Sequence, residues 1–151
     1  MRVSNEETAK ADYENAVYAA FLDNCEMKSY PEEELDKWIA ITEDSYSMYA
    51  SYYGMETEAF LQTYYGTTCE ELAKEQVLFK YATELVAEKE DLELSLEEYE
   101  QIATQQATNY GYDSLETYEK AYEEYYGEGY LKSFILQELV MEWLVNNSST
   151  K

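Results

Sequence analysis

Residues 50–77 read ASYYGMETEAFLQTYYGTTCEELAKEQV, and the punctuation in this run decides the fold. Two Tyr-Tyr-Gly triplets end at Gly54 and Gly66. Thr68 and Glu71 then match S/T-x-x-E, the capping box in which two side chains satisfy orphan N–H groups at a helix start. Glycine readily takes the left-handed conformation that ends helices. The run therefore reads as a helix end, a short aromatic helix over 57–65 capped at Thr57, a stop, and a new helix start. A similar sequence, TNYGYDSLETYEKAYEEYYG, returns at 108–127 with Ser114 in the role of Thr57. Two spans are too few for a solenoid. They predict two similar helical corners in one domain.

Working outward, Ser4/Glu7 and Ser95/Glu98 repeat the capping-box spacing, and Pro31 stands where a first helical turn tolerates proline. Gly111 and Gly127 supply further left-handed stops. The expected helices are 5–27, 31–53, 57–65, 68–90, 95–110, 114–126 and 128–147. They make an all-α domain of roughly three-quarters helix, well above the usual third. In 31–53, Leu35, Trp38, Ile39, Thr42, Tyr46, Tyr49, Ala50 and Tyr53 share one face at three-and-four spacing and are expected in the core. In 95–110, Leu96, Tyr99, Ala103, Ala107 and Tyr110 likewise share one face at that spacing, with Ile102 beside them. The last helix leaves only Glu138 and Glu142 as a charged stripe. A helix apolar nearly all round is a buried one, so it is expected as the central post of the core.

Composition narrows the function. The 151 residues suit one domain, 1–151, with a core of its own. The net charge is −23, from 33 acidic and 10 basic residues, yet 18 Tyr and 46% apolar residues oppose the disorder that such acidity often signals. Nucleic-acid binding is excluded, because phosphates are recruited by Lys and Arg. Acidity suits solubility or cationic partners. No apolar run reaches the roughly 20 residues of a membrane span, and no signal peptide follows Met1. The chain has no His, no nucleophile motif, no phosphate loop and no EF-hand pattern. Neither an enzyme nor a cofactor is expected. Cys25 and Cys69 lack C-x-x-C spacing and read as ordinary buried thiols.

Three stretches resemble the C-terminal domain of bacterial trigger factor. They are YPEEELDKWIAITEDSYSMYASYYGMETEAFLQTYYGTTCEELAKEQV (30–77), LVAEKEDLELSLEEYEQIATQQATNYGYDS (85–114) and GEGYLKSFILQELVMEWLVNNS (127–148). The elements are a Tyr-Pro helix start, a Tyr-x-Gly-x-[Ser/Thr]-x-Glu-Glu pattern, a Lys-Glu junction before Ser95, and a closing apolar helix. The resemblance covers about 28–147, with 5–27 matching the long arm that precedes it. It implies an all-helical, armed domain related to the peptide-binding part of SurA-type chaperones, and an ATP-independent chaperone for unfolded or nascent chains. It also implies a cytoplasmic location, or an extracytoplasmic one if the chain belongs to a longer exported precursor. The ribosome-docking motif and the FKBP-like prolyl isomerase domain of the family are not in this stretch, so neither activity is expected of it. Homodimerisation stays open.

A client surface needs apolar and aromatic side chains exposed on rigid helices, with charge around them. Tyr and Met suit it, the one amphipathic, the other adaptable. Ile41, Met48 and Tyr52 fall at i, i+7 and i+11 on a second stripe of helix 31–53, and either line a client groove or are covered by another helix. Tyr64, Tyr65, Tyr125 and Tyr126 join them, since doubled tyrosines at helix ends rarely bury both rings. Two other classes remain: a scaffold module that holds partner domains apart, and an acidic mimic of nucleic acid.

Overall fold

The structure, a computed structural model, describes residues 2–148, with side chains from Asn5 onward. Among the described residues there are seven helices and no strand: α1 (Arg2–Asp23), α2 (Glu32–Tyr52), α3 (Thr57–Tyr65), α4 (Cys69–Lys89), α5 (Leu96–Asn109), α6 (Leu115–Tyr126) and α7 (Tyr130–Asn147). The expected helical elements are all present. They take up roughly three-quarters of the chain, against the usual third.

Local chemistry explains the boundaries. Ser95 accepts from Glu98 N–H while Glu98 reaches back to the Ser95 N–H at 3.1 Å. Thr68 and Glu71 exchange the same pair of bonds, at 3.0 and 3.1 Å. Ser114 caps α6 by accepting from Thr117 N–H. Three expectations fail here. Thr57 is no cap: Glu56 occupies that position in an extended conformation, and no side chain caps α3. Ser4 lies inside α1, whose backbone is already helical at Arg2, and its side chain lies outside the described residues. α1 stops at Asp23 rather than 27, because Asn24 turns its Nδ2 onto the Ala20 carbonyl at 2.7 Å. Cys25 is consequently left half-buried in a connecting segment, while Cys69 is buried as expected.

Three helices end in one turn design. Met55 N–H bonds to Ala50 O, Leu92 N–H to Ala87 O and Tyr112 N–H to Ala107 O, at 2.8–2.9 Å, the six-to-one bond of a Schellman motif. Each acceptor alanine is buried, so a small residue lets the returning chain close over it. At the turn itself stand Gly54, Gly111 and Asp91, all with positive φ. Gly127 departs from expectation: its φ of 113° and ψ of 164° lie outside the left-handed helical region, which Gly129 takes instead just before α7.

The chain forms two compact units, Cys25–Phe79 and a second built from residues 2–24 and 80–148; α4 contributes its first half to one and its second half to the other. In the Cys25–Phe79 unit the core holds Trp38, Ala50, Phe60, Leu61, Ala73 and Val77. Full burial of a side chain such as Leu61 is worth about 1.5–3 kcal/mol. In the other unit Ala103, Ala107, Tyr118, Leu131 and Ile135 form the centre. There α7 packs on α1, α5 and α6, with Glu138 and Glu142 left at the surface. It is the central post of that unit. Its buried polar groups are satisfied, Gln137 donating to Ser133 at 3.2 Å.

Candidate functional site

The apolar face of α2 is buried continuously over its first half and only in part over its second. Trp38 and Thr42 are enclosed and Ala50 is sealed under the turn, but Tyr49 and Tyr53, expected in the core, are more than half exposed. α3 folds back along this end of α2, with Phe60 beside Tyr53 and Tyr65 beside Tyr46, and a single short helix covers one flank of the last two turns while the other stays open to water.

The second stripe meets this open end. Met48 is 74% exposed and Tyr52 85%, whereas Ile41, two turns earlier, is half-buried. Over residues 45–53, at about 100° per residue, Met48, Tyr52, Tyr49 and Tyr53 follow one another around the helix with only Ser45 between them. The two stripes thus merge into one aromatic surface. α3 adds Tyr64 and Tyr65, both more than half exposed.

Beneath the surface lies Phe60, 5% exposed. Its ring stacks on Tyr53 at 5.7 Å and 26°, and meets Tyr64 at 5.0 Å and Tyr65 at 5.9 Å. Tyr53 in turn touches Tyr64 at 5.1 Å and Tyr52 at 5.3 Å, and Tyr46 meets Tyr65 at 5.9 Å. These separations suit offset and edge-on aromatic pairs. Of the expected site residues, Tyr52, Tyr64 and Tyr65 are brought into one ring network, with Met48 a turn away. Spacing alone puts Tyr49 and Tyr53 in the core; their place in Tyr-rich sequence next to a glycine stop is the signal the sequence carries for the surface.

Tyr125 and Tyr126 belong to the other unit. Tyr125 is exposed and Tyr126 half-buried, the pair in edge contact at 4.7 Å, and Tyr126 packs on Phe134 of α7 at 5.1 Å. Nearby, Tyr118 is buried and donates to Gln106 Oε1 at 3.2 Å, with Tyr110, Tyr112 and Tyr122 around its ring. Tyr99 donates to Glu119 at 2.6 Å. Burial pushes the Tyr122 hydroxyl up to about 12, with the neighbouring Tyr118 adding to it. Tyr99 and Tyr118 are thus held by hydroxyl bonds, and Tyr122 by packing, whereas Tyr110 and Tyr125 keep exposed rings.

The electrostatics of the α2–α3 surface are one-signed. Between Lys37 and Lys74 the chain has no basic residue and carries Glu43, Asp44, Glu56, Glu58, Glu70 and Glu71. Glu58 accepts from Cys69 N–H at 3.2 Å, which ties α3 to the start of α4. Burial first, then the bonded Glu58 carboxylate, raises the Cys69 thiol to about 11, so it is unsuited to nucleophilic work. Among the described residues no group of carboxylates and thiols is arranged to hold a metal ion. The arrangement offers a hydrophobic, polarisable face in a stretch of chain whose charges are all carboxylates.

A sequence model for the C-terminus of the bacterial trigger factor protein matches residues 1–146. The chain belongs to that family. The match takes in α1, as the resemblance of 5–27 to the family's arm implies, as well as the body. The trigger factor C-terminus is the non-catalytic, chaperone-type part of its protein, so a chaperone-type function follows from membership. No curated protein and no solved structure matches the chain. Among its described residues, no helix of this trigger factor C-terminal chain is long and apolar enough to cross a membrane.

Proposed function

We propose that this chain is an ATP-independent holdase that shelters exposed apolar segments of unfolded or nascent polypeptides, and that its client face is the α2–α3 corner. The observation that carries the reading is the cluster of exposed Met48, Tyr49, Tyr52, Tyr53, Tyr64 and Tyr65 around buried Phe60. Soluble proteins rarely leave contiguous apolar surface open without a partner for it. Tyr accommodates varied sequences because its ring is apolar and its hydroxyl can face water. The carboxylates of the α2–α3 stretch keep the chaperone itself in solution and favour client segments bearing Lys or Arg over acidic ones.

Residues 1–151 act in this reading as one functional domain, with the fold related to SurA-type peptide binders and the location cytoplasmic as in the family. The chain contributes no proline isomerisation of its own. A homodimer is compatible with the reading, and sedimentation distinguishes it from a monomer.

The test is light scattering of an unfolded enzyme diluted into refolding buffer. A several-fold excess of this protein slows aggregation without added nucleotide, and more strongly at low salt. Scattering that is unchanged by the protein rejects the holdase.

A further inference from the structure

The tyrosines of the α2–α3 surface differ from those of the other unit in what holds them. Tyr99 and Tyr118 are anchored by hydroxyl bonds to Glu119 and Gln106. Among the described residues, Tyr53, Tyr64 and Tyr65 have ring contacts and no hydroxyl tether. Two more elements deepen the contrast. Tyr53 follows the last residue of α2, and Tyr64 and Tyr65 are the last two of α3, where helical backbone bonding is running out. Yet all three rings touch the same buried group, Phe60, on its face or at its edges.

We propose that Phe60 is a positioning residue for client binding: it orders the exposed tyrosines of the α2–α3 face before a client arrives. The proposal rests on the holdase reading of that face. Phe60, almost wholly enclosed, offers little surface to a client itself. A flat, rigid ring presents an extended face against which Tyr53 stacks at 26° and against whose other sides Tyr64 and Tyr65 lean at 43° and 62°. A branched aliphatic side chain fills similar space but offers no such plane, so the tyrosines would sample several rotamers. Each would then have to be ordered on binding, which costs affinity without removing any client contact.

Three variants separate the possibilities, with a dye-labelled peptide containing Phe, Leu and Lys but no acidic residue as probe. Phe60→Leu lowers affinity by about tenfold, the loss expected when side chains must be immobilised at binding. It also weakens the tyrosine signal in near-ultraviolet circular dichroism. Phe60→Tyr keeps the ring and binds within about twofold of the parent. Leu61→Val, at the adjoining and fully buried position, loses stability as Phe60→Leu does but keeps its affinity. Equal affinity of Phe60→Leu and the parent overturns the proposal, and so does an equal loss in Leu61→Val. A fourth protein, Met48→Ser with Tyr52→Ser, tests the reading beneath. If it loses binding while Phe60→Leu does not, only the positioning role falls. If it binds like the parent, the client face itself is misplaced.

Discussion

The α2–α3 and α5–α6 corners are built on one plan and finish differently. Gly54 corresponds to Gly111, Ala50 to Ala107 and Tyr53 to Tyr110, and in each corner that tyrosine stacks on a buried ring of the short helix, Phe60 in one and Tyr118, one position further on, in the other. Leu61 and Tyr118 take equivalent, fully buried places on the short helix. The short helices then diverge: α3 ends at Tyr65, while α6 continues to Tyr126 and lays Tyr122 and Tyr126 against Phe134 of α7. Tyr122, at the place of Tyr65, already meets α7, and the four residues after it bring Tyr126 onto the same ring. The same motif therefore supplies a surface in one place and a core in the other, and the helix packed beyond it decides which.

The strongest way to break this comparison is at the buried pivots. Leu61→Ala is expected to cost about 2–5 kcal/mol, and Tyr118→Ala about 3–5 kcal/mol because a larger ring leaves a larger cavity. Tyr118 also anchors Gln106 and three tyrosine rings, so its loss should sit at the upper end. Urea denaturation measures both. A Tyr118 variant no less stable than the parent would show that the second corner is not the centre of its unit.

The next effect is on clients. Met48→Ser with Tyr52→Ser removes two of the most exposed apolar groups, each worth up to about 1–3 kcal/mol of contact. Client affinity should fall by more than tenfold while melting changes little, since exposed substitutions alter stability by within about half a kcal/mol each. Tyr110→Ser with Tyr112→Ser, at the equivalent turn, should reduce affinity far less. An equal loss from both pairs would make the corners equivalent in function as well as in plan. Ile41 is left out of the first pair because, half-buried, its deletion would mix packing with binding.

Much of this was legible beforehand, for reasons that differ by residue. Helix ends could be read because their causes are local: Ser95, Thr68 and Ser114 bond within three residues of themselves. The central role of α7 followed from an apolar circumference that no solvent-facing helix carries. Tyr49 and Tyr53 could not be placed, because periodicity tells which residues share a face and not how much of that face a neighbour covers. Nor could periodicity separate Met48 and Tyr52, which face solvent, from Ile41 on the same stripe. Phe60 looked like any apolar residue of a short helix; its role depends on rings brought in from the end of another helix.

The turns come third. A side chain at Gly54 or Gly111 would meet open space, so only the positive φ opposes it. Gly54→Ala and Gly111→Ala should each cost about 1–2 kcal/mol, and by similar amounts because the turns share their hydrogen bonds. Asp91 occupies the same turn at the end of α4 with φ of 52°, so Asp91→Gly should be neutral or stabilising. Unequal costs at Gly54 and Gly111 would mean that the corners differ at their bend.

The smallest expected difference is the sharpest test of the repeat, because the two short helices start alike in sequence and unlike in structure. Thr57 and Ser114 are matched by position, but Ser114 accepts from Thr117 N–H at 3.2 Å while Thr57 is already the first residue of α3. A capping hydroxyl satisfies one of four backbone donors that otherwise lack a partner, and its removal typically costs about 1 kcal/mol. A hydroxyl one residue inside the helix satisfies none of them, so its removal costs a few tenths at most and is partly offset by the better helix propensity of Ala. Ser114→Ala should therefore lower stability by about 1 kcal/mol and Thr57→Ala should leave it within about half a kcal/mol. Thermal melting of the two variants side by side resolves that gap. If both lose the same amount, Thr57 caps α3 in solution, and the two corners are alike from their first residue onward.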